Sequence, residues 1–256
     1  MNIARSSNPA LSDKIFRNVS ESTGEGVMTL SGTINKTILS FMLLLLGAVF
    51  TWSKFFNSID EAAGAATVMP YLIGGGIGGF ILALVTIFKK EWAGYTVPVY
   101  AVLEGLMLGA LSAVIEAQFK DQGLVLRAVA LTFGTFFAML FLYKSRIIKV
   151  TEKFRMGVFA ATGGIAIVYF LSFIMSLFGV RMGFLYGNSL LSIGISLFVV
   201  VIAALNLVLD FEFIEKGSKA NLPKYMEWYG SFGLLVTLVW LYLEILRLLS
   251  KIASRD

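Results

Sequence analysis

Three carboxylates lie inside apolar runs: Glu104 in VPVYAVLEGLMLGAL, Asp210 in ISLFVVVIAALNLVLDFEFIEKG and Glu244 in LVTLVWLYLEILRLLSKI. A charge in hydrocarbon is costly unless it faces a cavity or a partner, so each acid is a functional candidate. Asp210 shares a helical face with Asn206, four residues earlier. If its helix continues to Gly217, Asp210 lies about 10 Å inside the helix end. Glu244 lies roughly 18 Å along its own run from Phe232, with Arg247 at i+3 as a supporting residue or simple ion-pair partner. If Asp210 and Glu244 met across two helices they would share one proton, because two carboxylates cannot both ionise cheaply at low dielectric. Protonated, the pair locks two helices by a hydrogen bond. Deprotonated, it repels, opens and offers hard oxygen ligands that suit transient Ca²⁺. Simple hairpin geometry sets Glu244 deeper than Asp210 by ~8 Å, so contact requires a kink or offset near Gly230 and Gly233. Glu104 is the third, supporting acid; Gly105 and Gly109 beside it allow close helix approach. Glu212 and Glu215 are expected at a solvated helix end, and Glu116 and Arg127 at an interface.

The elements that position these acids follow from composition. The chain is 57% hydrophobic and 14% charged, with mean hydropathy +0.82; soluble domains hold about 45–50% apolar and roughly 25% charged residues. Lipid is the solvent that this surface requires. Cys and His are both absent, which removes disulfides, thiolate or imidazole metal sites and Ser-His-Asp triads. Proton sensing must then fall to carboxylates. The net charge of +5 reads as loop bias in a membrane protein, with no basic stripe for nucleic acid.

Apolar runs of spanning length fall at Thr37–Phe56, Val68–Phe88, Val97–Ala117, Leu124–Tyr143, Gly157–Phe178, Ser189–Glu212 and Phe232–Leu249. The expectation is an all-α integral membrane protein: a polar cytoplasmic tail over residues 1–36 and a seven-helix transmembrane domain over 37–256. The polar start fits neither a signal nor a transit peptide, so the first span is its own insertion signal. With the N-terminus inside, cytoplasmic segments hold 14 of the 21 Lys+Arg, a bias that favours this orientation. Seven full crossings place the C-terminus outside; Arg247, Lys251 and Arg255 favour the opposite side, and a re-entrant last span is the other option. Trp52 with Lys54, Lys89 and Lys90 with Trp92, Lys144 with Arg146, and Trp228 with Tyr229 read as headgroup anchors. GGGIGG at Gly74–Gly79 formally fits a dinucleotide fingerprint, but without a strand or a soluble helix it reads as small-residue helix packing.

The tail SSNPALSDKIF, the entry MTLSGTINKT, the stretch YAVLEGLMLG, the acid ending span six and VWLYLEILRLLSKI together resemble the Bax inhibitor (transmembrane Bax inhibitor motif) family, in particular its bacterial YccA-like members. The resemblance implies a seven-helix bundle with the last helix central. It also implies a pH-sensitive Ca²⁺ leak controlled by an acid pair from spans six and seven, carried here by Asp210 and Glu244. The second acid is Glu rather than the family's Asp, and Phe211 stands where many relatives have Thr.

The function expected is a proton-gated cation leak channel in a bacterial inner membrane, with lipid, protons and Ca²⁺ as partners, no cofactor and no nucleic acid. The alternative is a non-transporting membrane regulator, for example of a membrane protease. A proton-coupled transporter predicts an inverted repeat, and none is evident. A retinal protein needs a lysine deep in the last span, whereas Lys251 lies at its end. Enzyme activity is the least supported class.

Overall fold

The computed structural model describes residues 26–119, 122–180 and 182–255. Among them seven helices are long and apolar enough to cross a membrane: α1 Leu30–Phe56, α2 Glu61–Phe88, α3 Ala93–Gln118, α4 Leu124–Lys144, α5 Glu152–Leu177, α6 Leu190–Lys219 and α7 Met226–Ala253. A 3₁₀ turn at Lys90–Trp92 precedes α3, and one helical turn at Gly183–Tyr186 precedes α6. The tail expected over residues 1–36 lies outside the described residues as far as residue 25.

Most helices begin before their apolar runs, and caps explain why. Thr29 is extended and its hydroxyl accepts from the Gly32 N–H at 3.0 Å, so α1 starts in the polar stretch ahead of Thr37. Asp60 caps α2 through the Ala63 N–H, and Thr151 caps α5 through the Phe154 N–H. Hydropathy marks the stretch that lipid covers; the cap marks where the backbone begins to wind. Of the seven spans, α7 has the largest covered share of its most apolar stretch, 67%.

The chain divides into two units, and α6 and α7 contribute to both. One unit holds residues 26–119, 122–125 and 214–235 among those described. Here glycines bring α1, α2 and α3 together. A Cβ on Gly105 would strike the Leu44 carbonyl and sit 3.0 Å from its Cα; one on Gly109 would meet Ala48 and Thr51. Gly75 packs on Leu103 and Met107 of α3, and Gly79 on Glu104, so the GGGIGG run serves helix packing. Gly105→Ala is expected to lower stability by about 1–3 kcal/mol, as overpacking against backbone does. Unfolding in mild detergent checks this, with Gly134→Ala, where nothing lies near, as the neutral control.

The other unit holds residues 126–180, 182–213 and 236–255 among those described. Phe211 of α6 packs edge-on against Phe136 and tilted against Tyr143, both of α4. Asn206 of α6 donates to the Thr162 hydroxyl of α5 at 2.9 Å. At the end of α7, the buried Lys251 ammonium donates to the Leu185 carbonyl at 2.6 Å and the Ser196 hydroxyl at 2.7 Å.

Candidate functional site

Asp210 and Glu244 belong to the second unit and both are buried, at 0% and 1% exposure. Glu244 sits on α7 facing α5. The Tyr169 hydroxyl lies 3.1 Å from each of its oxygens. Arg247 Nη1 donates to the same oxygens at 2.8 and 3.0 Å and to the Tyr169 oxygen at 2.8 Å. The guanidinium also lies over the Tyr169 ring, 5.1 Å from its centroid. Glu244 is thus held in a carboxylate–phenol–guanidinium cluster. Arg247, named from its i+3 spacing, is its ion-pair partner.

Asp210 lies farther along. Lys251 on Ser196 sets the end of α7 beside the start of α6. Counting back to Glu244 and on to Asp210 at 1.5 Å per residue separates the two levels by on the order of 10 Å. The helix runs unbroken through Gly230 and Gly233, where an offset was expected. Asn206, one turn from Asp210, bonds Thr162 and its own helix at the Ile202 carbonyl.

Glu212 departs from its expected solvated position. Its carboxylate is buried and accepts from Arg155 in a two-pronged fork, Nε at 2.9 Å and Nη2 at 2.6 Å. The third prong of Arg155 reaches Glu152 at 2.9 Å. The helix turn from Asp210 to Glu212 points the two acids to different sides, and only the fold brings Arg155 to the second.

In the first unit Glu104 is buried, with Oε2 only 2.7 Å from where a Cβ on Gly79 would stand. Glycine there makes room for the carboxylate. A further acid, Glu227 in the first turn of α7, is fully buried. It accepts from the Thr29 N–H at 2.9 Å, the Thr29 hydroxyl at 2.8 Å, Lys224 at 2.8 Å, and Lys36. Trp228 beside it receives Lys36 over its ring at 5.6 Å, while Tyr229, expected as a headgroup anchor, is fully buried.

Sequence reasoning missed Tyr169, Arg155, Glu212 and Glu227 as partners. Arg155 and Glu227 lie at polar ends of apolar runs, where charges are ordinary. A tyrosine within an apolar span carries no signal of a carboxylate partner.

Seven apolar helices with buried, paired charges define an integral membrane protein. The Bax inhibitor 1 like family matches residues 8–254, and the chain belongs to that family. Comparisons with curated proteins and with solved structures give no match.

Proposed function

We propose that the chain is a proton-gated cation leak channel with Ca²⁺ as a permeant ion, in which Asp210 and Glu244 are the gating acids. The observation that carries this reading is the Glu244 cluster. Its carboxylate side chain is 2% exposed, but the side chain of the arginine that neutralises it is 36% exposed. Arg247 is then a tethered counter-ion. A proton on Glu244 or a mobile cation beside it takes over the role of that guanidinium and frees it to swing away. Tyr169 holds the carboxylate in place meanwhile, as a neutral donor that does not compete for charge. Asp210, on the order of 10 Å away along the helices, is the second station, with Asn206 on its face.

Flux of Ca²⁺ from indicator-loaded liposomes containing the purified chain tests this across pH. The expected result is a leak whose rate depends on pH, lost by about tenfold in Asp210→Asn. Arg247→Met is expected to retain Ca²⁺ flux at an altered rate, because Glu244 loses its built-in cation. Absence of flux at every pH, with Asp210→Asn indistinguishable from the parent, would sink the channel reading. A non-transporting regulator would then be the better account.

A further inference from the structure

The connection between α4 and α5 departs from an ordinary helix stop in two ways. The helix α4 ends in a Schellman arrangement: the Arg146 N–H donates to the Tyr143 carbonyl at 3.0 Å and the Ile147 N–H to the Leu142 carbonyl at 3.1 Å. The residue after such a cap is left-handed and usually glycine. Here it is Arg146, with φ 58°. The next residue normally tucks back on the helix, but Ile147 is 64% exposed. An arginine thus stands where such a stop usually carries glycine, and an exposed isoleucine where it usually carries a packed side chain.

Their surroundings fit a membrane surface. Lys149 on the same connection, Lys144 at the end of α4 and Lys153 in the first turn of α5 are exposed. Among the described residues of this stretch these cations outnumber the one exposed carboxylate, Glu152, which shares Arg155 with Glu212. Phe137 and Phe141 on α4 and Met156 and Phe159 on α5 are each more than half exposed directly below. That pattern of apolar side chains under a ring of Lys and Arg is the profile of acyl chains under headgroups. Lys144 and Arg146 lie at the C-terminal end of α4, where the helix dipole accounts for some cationic preference. It does not account for an arginine at a glycine position or for the exposed Ile147.

We propose that the α4–α5 connection is a docking site for anionic phospholipid, with Lys144, Arg146, Lys149 and Lys153 on phosphate-bearing headgroups and Ile147 in the acyl boundary. Arg146 presents a planar fork suited to phosphate, held by its place over the Tyr143 ring at 5.6 Å.

The test titrates the full chain in neutral detergent with dioctanoyl phosphatidylglycerol and, separately, dioctanoyl phosphatidylcholine. Binding of phosphatidylglycerol is expected to be tighter and to weaken as salt rises. Arg146→Gly is expected to weaken it about fivefold, the contribution of one cation near an anionic surface. The same variant should unfold at an equal or higher temperature in neutral detergent, since glycine is relaxed at that φ. A lipid role and a folding role thus move in opposite directions. Replacing Lys144, Lys149 and Lys153 together by Gln should reduce binding further, and decides the matter if Arg146→Gly fails to fold. Three results would overturn the proposal: equal binding of the two lipids, Arg146→Gly with lower thermal stability and unchanged lipid binding, or inorganic phosphate competing as well as the lipid. The last would make the occupant a soluble anion.

Discussion

Glu227→Ala is expected to destabilise the chain by about 3–5 kcal/mol, the cost of removing one partner from a buried ion pair. The carboxylate is fully buried and meets Lys36, whose side chain is 19% exposed. Its loss strands that ammonium together with the Thr29 N–H. The Thr29 hydroxyl also turns from donating to Glu227 and accepting from Gly32 to accepting alone. Start of α1 and start of α7 are thereby joined by one carboxylate, reinforced by the Met28 N–H on the Leu222 carbonyl at 2.7 Å. The partners rank by exposure. Lys224→Ala is expected to cost no more than about 1 kcal/mol, because that side chain is 46% exposed. Gly32→Ala should approach the Glu227→Ala result, since a Cβ there would strike the Glu227 carboxylate. Unfolding in detergent, followed by circular dichroism, measures the series. Equal small losses for Glu227→Ala and Lys224→Ala would show that the buried cluster contributes nothing special.

The second large effect concerns Arg155 and Glu212. Glu212→Ala removes the two-pronged acceptor from a guanidinium whose side chain is 5% exposed, and should cost about 3–5 kcal/mol. Arg155→Ala should cost a similar amount by taking the forked donor away from the buried carboxylate. Arg155→Lys removes the fork and keeps the charge, so it should fall between. The combined Arg155→Met, Glu212→Leu chain is expected to be near the parent in stability, because replacing a buried pair by apolar groups avoids desolvating both charges. Glu152→Ala is the control: its side chain is 66% exposed and its loss should cost at most about 1 kcal/mol. If the double replacement is as unstable as the single ones, the site serves packing geometry rather than charge compensation.

Legibility differed between spans and partners. The ends of the apolar runs at Phe56, Phe88 and Leu124 coincide with helix termini, because lipid exposure and helix limits agree there. The starts differ wherever a cap such as Thr29, Asp60 or Thr151 begins winding in a polar stretch. Arg247 beside Glu244 was readable from i+3 spacing alone, since one helix fixes that geometry. Tyr169 beside the same acid was not.

By itself the sequence determined that this is a seven-span membrane protein and which acids lie within its spans. Hydropathy is a sum over neighbouring residues, and backbone hydrogen bonding in lipid forces each such stretch into a helix. Only the tertiary structure decided what each buried charge meets. Glu227 meets Thr29 across 198 positions, Glu244 meets Tyr169 across 75, and Glu212 meets Arg155 across 57. Contacts over such separations depend on helix rotation and level, which small residues such as Gly32, Gly79 and Gly105 set by permitting close approach. No local pattern encodes them, and the opening candidate Glu244 acquired its tyrosine only when α5 and α7 packed together.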